Sequence, residues 1–346
     1  MSITLAEYRE KVRNIKTPDE KNRLVQELLN ADLDALFETA ESRSESTSLP
    51  DKILALKSKG MTTGGIQAYL KEADGVNVSR KQVSIAMDEI LPQMNDWLTR
   101  PLSRMYPIVF LDGMRFPVKD SGKTVSKCSY HMIGINPDGV KELLGFWISD
   151  SEGAKFWNQV LADIRNRGVE DILIACIDGL KGFPQAIEAV YPHTTVQLCI
   201  NHLTRSTSQY VRGKRKEEYY ADLKKIYNAP TEEAGYAELQ QMKKTWSDFA
   251  PFLERWEKEW PRLSAYFSYS PAVRRLIYTT NHVESLHSEL RRVTKAVPVF
   301  PNDEYLRQTL WLAQRDITRK WIAPISDWGE IVAQLSIQYP ERVLLY

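Results

Sequence analysis

Apolar residues return every three to five positions early in the chain, at Leu24, Leu28, Leu33 and Leu36, a spacing that predicts one or two amphipathic helices. The serine-rich, charged stretch from Glu41 to Pro50 has no such period and ends in a helix breaker, so it predicts a linker. Residues 51 to 99 return to helical spacing in three short segments, divided at Lys59 to Thr63 and at Asp74 to Val78. Ser79, followed three residues later by Gln82, predicts a capping box that opens the last of them. Three such segments suit a helix-turn-helix, with Arg80 and Lys81 in the first turn of its recognition helix, within reach of base edges or phosphates. A small helical bundle with a solvated face fits the same pattern.

Past Pro101 the texture becomes strand-like. Ile108 and Phe110, the alternation from Ser126 to Gly134, and the run from Leu143 to Ile148 predict three strands in succession. Asn136-Pro-Asp-Gly139 is a turn between the second and third, which makes this half of the sheet antiparallel. A helix follows from Glu152, with Phe156, Val160, Leu161 and Ile164 on one face and Gly168 as its stop. Ile172 to Ile177 is almost wholly apolar, as in a strand covered on both faces. A helix at Phe183 to Tyr191 and a short strand at Thr194 to Cys199 complete the order strand, strand, strand, helix, strand, helix, strand. That is the order of an α/β, ribonuclease H-like mixed sheet, in which the first and fourth strands are neighbours. Trp246, Trp256 and Trp260 read as packing residues, since the last two stand four apart on a helical stretch. Helices carrying Trp311, Leu312, Ile317, Trp321 and Trp328 close the chain.

Composition narrows the picture only modestly. With 346 residues and 43% hydrophobic content the chain can bury a large core in two or three domains. A formal charge of +1 leaves any polyanion contact to local basic clusters. Cys128, Cys176 and Cys199 are too few for a disulfide framework and point to a reducing compartment. Without a signal peptide or a long apolar span, the expectation is a cytoplasmic protein with no membrane partner.

The chemistry lies in acidic residues placed beside apolar runs. Asp112 ends Tyr106-Pro-Ile-Val-Phe-Leu, and Asp178 ends Ile172-Leu-Ile-Ala-Cys-Ile. A carboxylate at the exit of a buried strand costs desolvation energy unless a cation or strong donors compensate it. Either Asp alone also reads as a turn former or helix cap. Together with Glu284, which follows the cap-like Thr280-Asn281 near a helix N-terminus, they suggest oxygen ligands for Mg2+, with Mn2+ as a substitute. Two such ions about 4 Å apart activate a water or a 3′-hydroxyl and stabilise the leaving oxygen in phosphoryl transfer. Cys199 and His202 have the spacing of half a zinc site, but no second pair follows, and His202 reads either as an active-site histidine or as a capping or core one. Arg205, Arg212, Lys214 and Arg215 lie in a locally positive stretch, and Arg274, Arg275, Arg291, Arg292 and Lys295 flank Glu284. Both groups are candidates for holding DNA phosphates.

Seven blocks carry a family resemblance: Tyr106 to Gly113, Leu144 to Ile148, Gly153 to Trp157, Asp171 to Pro184, Val196 to His202, Tyr278 to Leu286 and Phe300 to Glu304. Over about residues 51 to 340 the chain resembles bacterial mutator-type insertion-sequence transposases. The resemblance implies a ribonuclease H-like domain with an Asp-Asp-Glu site, carried here onto Asp112, Asp178 and Glu284. It also implies an all-helical insertion before Glu284 and a Cys-x-x-His element at Cys199 and His202. The expected organisation is N-terminal helices and linker (1–50), a helix-turn-helix-like DNA-binding region (51–100), the catalytic core (101–202), the insertion (203–275) and the C-terminal part of the core (276–346). Expected partners are double-stranded DNA, as terminal inverted repeats and target, and further copies of the chain in a dimer or larger assembly. Against the family pattern, His282 and His287 flank Glu284, Ser206 follows the Cys-x-x-His element, and the link before residue 51 is short. A domesticated copy that binds DNA without turnover, and a nuclease without strand transfer, are the alternative readings.

Overall fold

A computed structural model describes residues 48–343; the helices expected before residue 40 and most of the linker fall outside the described residues. The chain divides after Ala55. The unit from Leu56 onward is built on one five-stranded mixed sheet: β1 (Met105–Asp120), β2 (Lys123–Ile135), β3 (Lys141–Ser149), β4 (Asp171–Ile177) and β5 (Thr195–Leu198), in the order β3-β2-β1-β4-β5. β2 runs antiparallel to β1 and β3, while β4 is parallel to β1 and β5. The succession of strands and helices from β1 to β5 is the one the hydrophobic pattern predicts.

β1 departs from the expected form. It does not stop at Asp112 but continues to Asp120, so Asp112 lies within the strand opposite His131. From Met105 to Asp112 every residue is buried; beyond, Met114, Phe116 and Val118 are buried and Arg115, Pro117 and Lys119 exposed. The strand passes from a two-sided to a one-sided environment at Asp112. Ser121 and Gly122, both with positive φ (49° and 80°), then close a two-residue hairpin whose twist suits the paired strands.

Helices cover both faces. Ala154–Asn166 ends just before Gly168, which takes φ 108°. Its buried stripe is Trp157, Val160, Leu161 and Ile164, so Trp157 takes the central place expected of the half-buried Phe156. Trp157 meets Tyr130 of β2 edge to face at 4.8 Å and Phe183 of the next crossover helix at 4.4 Å. On the opposite face lie Asn281–Thr294 and Asp303–Thr318. Between β5 and Asn281 the described chain is helical throughout, and Trp246, Trp256 and Trp260 are buried within it.

Ahead of the sheet, Thr63–Ala73, Arg80–Asp88 and Leu91–Thr99 are separate helices, one break more than the three segments read from residues 51 to 99, which include the helix Leu49–Ser58. The extra break falls at Glu89-Ile90, before Pro92, a residue suited to the first turn of a new helix. The Ser79–Gln82 capping box is present in both directions.

Candidate active site

The parallel pairing of β1 with β4 sets Leu111 beside Ile177, so the next residues, Asp112 and Asp178, emerge together. Asp178 N–H donates to Leu111 O at 3.4 Å. Asp112 is buried, with Gly113 N–H donating to its Oδ1 at 2.7 Å. Gly113 has no room for a side chain, because a Cβ there would sit 2.7 Å from Cys128 Sγ and 2.9 Å from the Tyr130 ring. Asp178 is half-buried and caps the turn after β4 through Gly179 N–H at 2.5 Å.

Two helix starts complete the site, joined through Cys199. Its N–H continues the ladder to Ile177 O at 2.8 Å, and its sulfur accepts from both N–H and Oγ1 of Thr280 at 3.4 Å. Cys199 thus fastens the start of Ile200–Ser208, which carries His202, to the start of Asn281–Thr294, which carries Glu284. His202 Nε2 lies 3.7 Å from Asp112 Oδ2, and its Nδ1 lies 4.0 Å from Glu284 Oε1. Arg205, one turn beyond His202, grips Glu284 with both guanidinium arms at 3.2 and 2.9 Å.

Ligand atoms of Asp112, Asp178 and His202 lie within 4.8 Å of one another, as do those of Cys199, His202 and Glu284. Oxygens from two acidic side chains with an adjacent imidazole fit a divalent cation; Glu284 joins that set only by exchanging Arg205 for the ion. Burial raises the Asp112 pKa to about 6; His202 opposes the rise and the Asp178 charge adds to it. Burial opposes charge on His202, but its hydrogen bond with Cys199 and the charges of Asp178 and Asp112 prevail and raise its pKa to about 9. In the absence of metal the imidazolium is the cation held among these carboxylates. A divalent ion that took the place of this imidazolium as counter-charge to the carboxylates would lower its pKa and release its proton, so apparent affinity should tighten by up to about tenfold per pH unit from about pH 7 toward about pH 9. Calorimetric Mn2+ titrations at about pH 7 and about pH 8.5 check this; a constant Kd would contradict it.

The helix that carries Glu284 also carries His282 and His287. His282 packs on the Phe110 ring at 4.9 Å; burial and then Lys141 lower its pKa to about 4. His287 points instead at Asp112, its Nδ1 3.6 Å from Oδ2. Ser206 lies along the cleft and donates to Leu203 O at 2.8 Å.

A cleft of about 600 Å³ opens beside Asp178 and His202, and Arg115, Lys181, Arg255 and Arg262 line it. Sequence reading passes over these four cations. Arg115 carries a signal, since it stands on the polar phase of the alternation after Asp112. The basic residues that the sequence does single out divide into several groups. Arg80, Lys81, Arg212, Lys214, Arg291, Arg292 and Lys295 are exposed. Arg215 pairs with Asp248 at 3.0 Å and lies over the Trp246 ring, and Arg275 lies 3.6 Å from Asp327. Arg274 donates to the carbonyls of Tyr269, Phe267 and Pro230, which makes it a tether within the helical segment.

Comparison with known proteins shows the family. Residues 32–324 match the model of the family described as "Transposase, Mutator family". The transposase for insertion sequence element ISRM3 of Rhizobium meliloti is 39% identical over 294 residues, covering 84% of this chain and 74% of that protein. A probable insertion-sequence transposase of Corynebacterium diphtheriae is 36% identical over 321 residues, covering 87% and 94%. The transposase of IS256 in transposon Tn4001 of Staphylococcus aureus is 23% identical over 273 residues, covering 78% and 70%.

Proposed function

The chain belongs to the Mutator family of transposases, and from this premise we propose that it cuts insertion-sequence DNA ends and joins them to target DNA, using divalent metal at Asp112, Asp178 and Glu284 in a ribonuclease H-like fold. The observation that carries the reading is the emergence of Asp112 and Asp178 from adjacent parallel strands with His202 beside them. Mg2+ bound there would activate the attacking water or 3′-hydroxyl and stabilise the leaving oxygen.

The chain's own residues prepare that chemistry. Gly113 N–H fixes one oxygen of Asp112 and leaves the other facing the site. Cys199 holds the two helix starts at a set distance, which fixes where His202 and Glu284 stand. Arg205 satisfies Glu284 before metal arrives and, once released, is a free cation for a DNA phosphate beside the scissile bond. Lys181 and Arg255, joined by Arg115 and Arg262 once DNA draws them from Glu152 and from Glu188 and Glu259, would give the cleft a phosphate-binding wall. The Thr63–Ala73 and Arg80–Asp88 helices would serve as the helix-turn-helix, presenting Arg80 and Lys81 to the terminal repeats. A dimer or larger assembly would bring two element ends together.

His202, beside the carboxylates, would contact the scissile phosphate or the displaced strand. His202→Ala should slow cleavage about tenfold, the worth of one hydrogen bond to a charged group, with end binding intact. An unchanged single-turnover rate would reduce His202 to a structural role.

One observation favours a second reading. Glu284 faces Arg205, and a copy in which that pair never opens would bind DNA without turnover. Incubation of purified protein with labelled element-end DNA and Mg2+ or Mn2+ separates the readings. Nicking and joining support the transposase; binding with neither supports the inactive copy; cleavage without joining supports a nuclease.

A further inference from the structure

Behind Asp112, on the face covered by the Glu284 helix, lie two imidazoles to which the proposed chemistry gives no role. His131 stands directly opposite Asp112 in the β1–β2 ladder, so both side chains leave the same face of the sheet. His287 meets them from Asn281–Thr294, one turn beyond Glu284. Both rings are buried, with exposures of 0% and 1%. His287 Nδ1 lies 3.6 Å from Asp112 Oδ2, and its Nε2 lies 3.1 Å from His131 Nδ1. The rings meet edge to face, with centroids 5.0 Å apart. Among the described residues, His131 Nε2 has no hydrogen-bond partner.

Two tautomer arrangements satisfy the 3.1 Å contact. In the first, His131 Nδ1–H donates to His287 Nε2. His287 then carries its proton on Nδ1 and turns an N–H toward Asp112, and the atom without a partner at His131 Nε2 is a bare lone pair. In the second, His287 Nε2–H donates to His131. That arrangement sets the His287 Nδ1 lone pair against the Asp112 carboxylate and buries an N–H without an acceptor at His131. Orphaned buried donors are the rarer and costlier case, and two electron-rich atoms face to face in a low dielectric add to the cost. Deep burial also disfavours a charge on either ring.

We propose that His131 and His287 are positioning residues for Asp112: a neutral two-imidazole strut, protonated on both Nδ1 atoms, that holds Oδ2 from behind while Gly113 N–H holds Oδ1. The carboxylate is then held at Oδ1 by a hydrogen bond and steered at Oδ2 by the longer, 3.6 Å electrostatic contact with the His287 N–H. The benefit to metal binding rests on the proposed metal site; the tautomers do not. In metal sites, removing an outer partner of a ligating side chain weakens affinity by about tenfold to a hundredfold.

The test uses metal-free, 15N-histidine-labelled protein and long-range proton–nitrogen correlation spectra, with His131→Gln and His287→Asn to assign the rings. Both should be neutral with the proton on Nδ1. A proton on His287 Nε2, or a doubly protonated ring at neutral pH, overturns the proposal. Mn2+ titration supplies the second arm. His287→Phe should weaken binding about tenfold or more, whereas His287→Asn, whose amide can replace the Nδ1–H donor, should stay within about threefold of wild type. Equal affinities for the two variants would overturn the strut. Failure of wild type to bind Mn2+ would instead count against the metal site and leave the tautomer result to decide the strut.

Discussion

Asparagine in place of Asp178, or of Asp112, is expected to lower both cleavage and joining of element-end DNA by about a thousandfold or more while leaving end binding within about twofold. The size follows from what a bound divalent ion supplies: about 4 kcal/mol or more of stabilisation for charge on the transferring phosphate, each 1.4 kcal/mol being about tenfold in rate. An amide keeps the size of the side chain but loses the charge that binds the ion. The retained affinity follows because end binding is assigned to other residues, Arg80 and Lys81 and the cations along the cleft. Single-turnover assays with a labelled end, alongside a filter-binding or anisotropy titration, read the two quantities separately. Parallel loss of binding would mean that the carboxylates organise the DNA surface and do not hold metal.

Asp112→Asn should also stabilise the metal-free fold near neutral pH by about 2 to 3 kcal/mol, although it abolishes activity. Asp112 is buried with a pKa raised to about 6 from an ordinary 3.8. The sign follows from linkage. A carboxyl whose pKa rises on folding favours the folded state when protonated, so its contribution is present at acid pH and is lost as pH climbs through about 6. Above that the ionised group carries a penalty of about 1.4 kcal/mol for each tenfold rise in its proton affinity on folding, and the amide removes it. Thermal unfolding at about pH 7.5 without metal should therefore show a variant melting several degrees above wild type. The advantage should shrink toward about pH 4, where Asp112 is protonated in the folded state and half protonated in the unfolded chain. Excess Mg2+ should reverse the order, because only the wild type gains from binding. A variant less stable than wild type in metal-free buffer at neutral pH would contradict the assigned burial penalty.

Local rules make some parts of this chain legible and leave others dark. Ile172 to Ile177 is legible as a doubly covered strand because nothing polar interrupts it, and Gly168 and the Ser79–Gln82 box mark helix ends by chemistry that depends on near neighbours alone. β1 is misread at Asp112 because the strand crosses from a two-sided to a one-sided environment there. Its apolar run stops while its pairing continues, and the period-two signal of Met114, Phe116 and Val118 is the evidence for that continuation. Within the site, the meeting of Asp112 and Asp178 follows from strand order. The Arg205–Glu284 pair spans 79 residues and the His131–His287 contact 156. No local pattern encodes either; both depend on how Asn281–Thr294 lies across the sheet. Arg205 accordingly reads as a DNA contact without its carboxylate partner, and His131 as one more alternating strand residue.

The most direct measurement is anomalous diffraction from crystals of the protein soaked with Mn2+. A peak ligated by oxygens of both Asp112 and Asp178 is expected, with Glu284 turned from Arg205 toward the ion, and no such peak in Asp178→Asn. Manganese bound only at other carboxylates, or an unoccupied Asp112–Asp178 pair at saturating Mn2+, would contradict the proposed metal site.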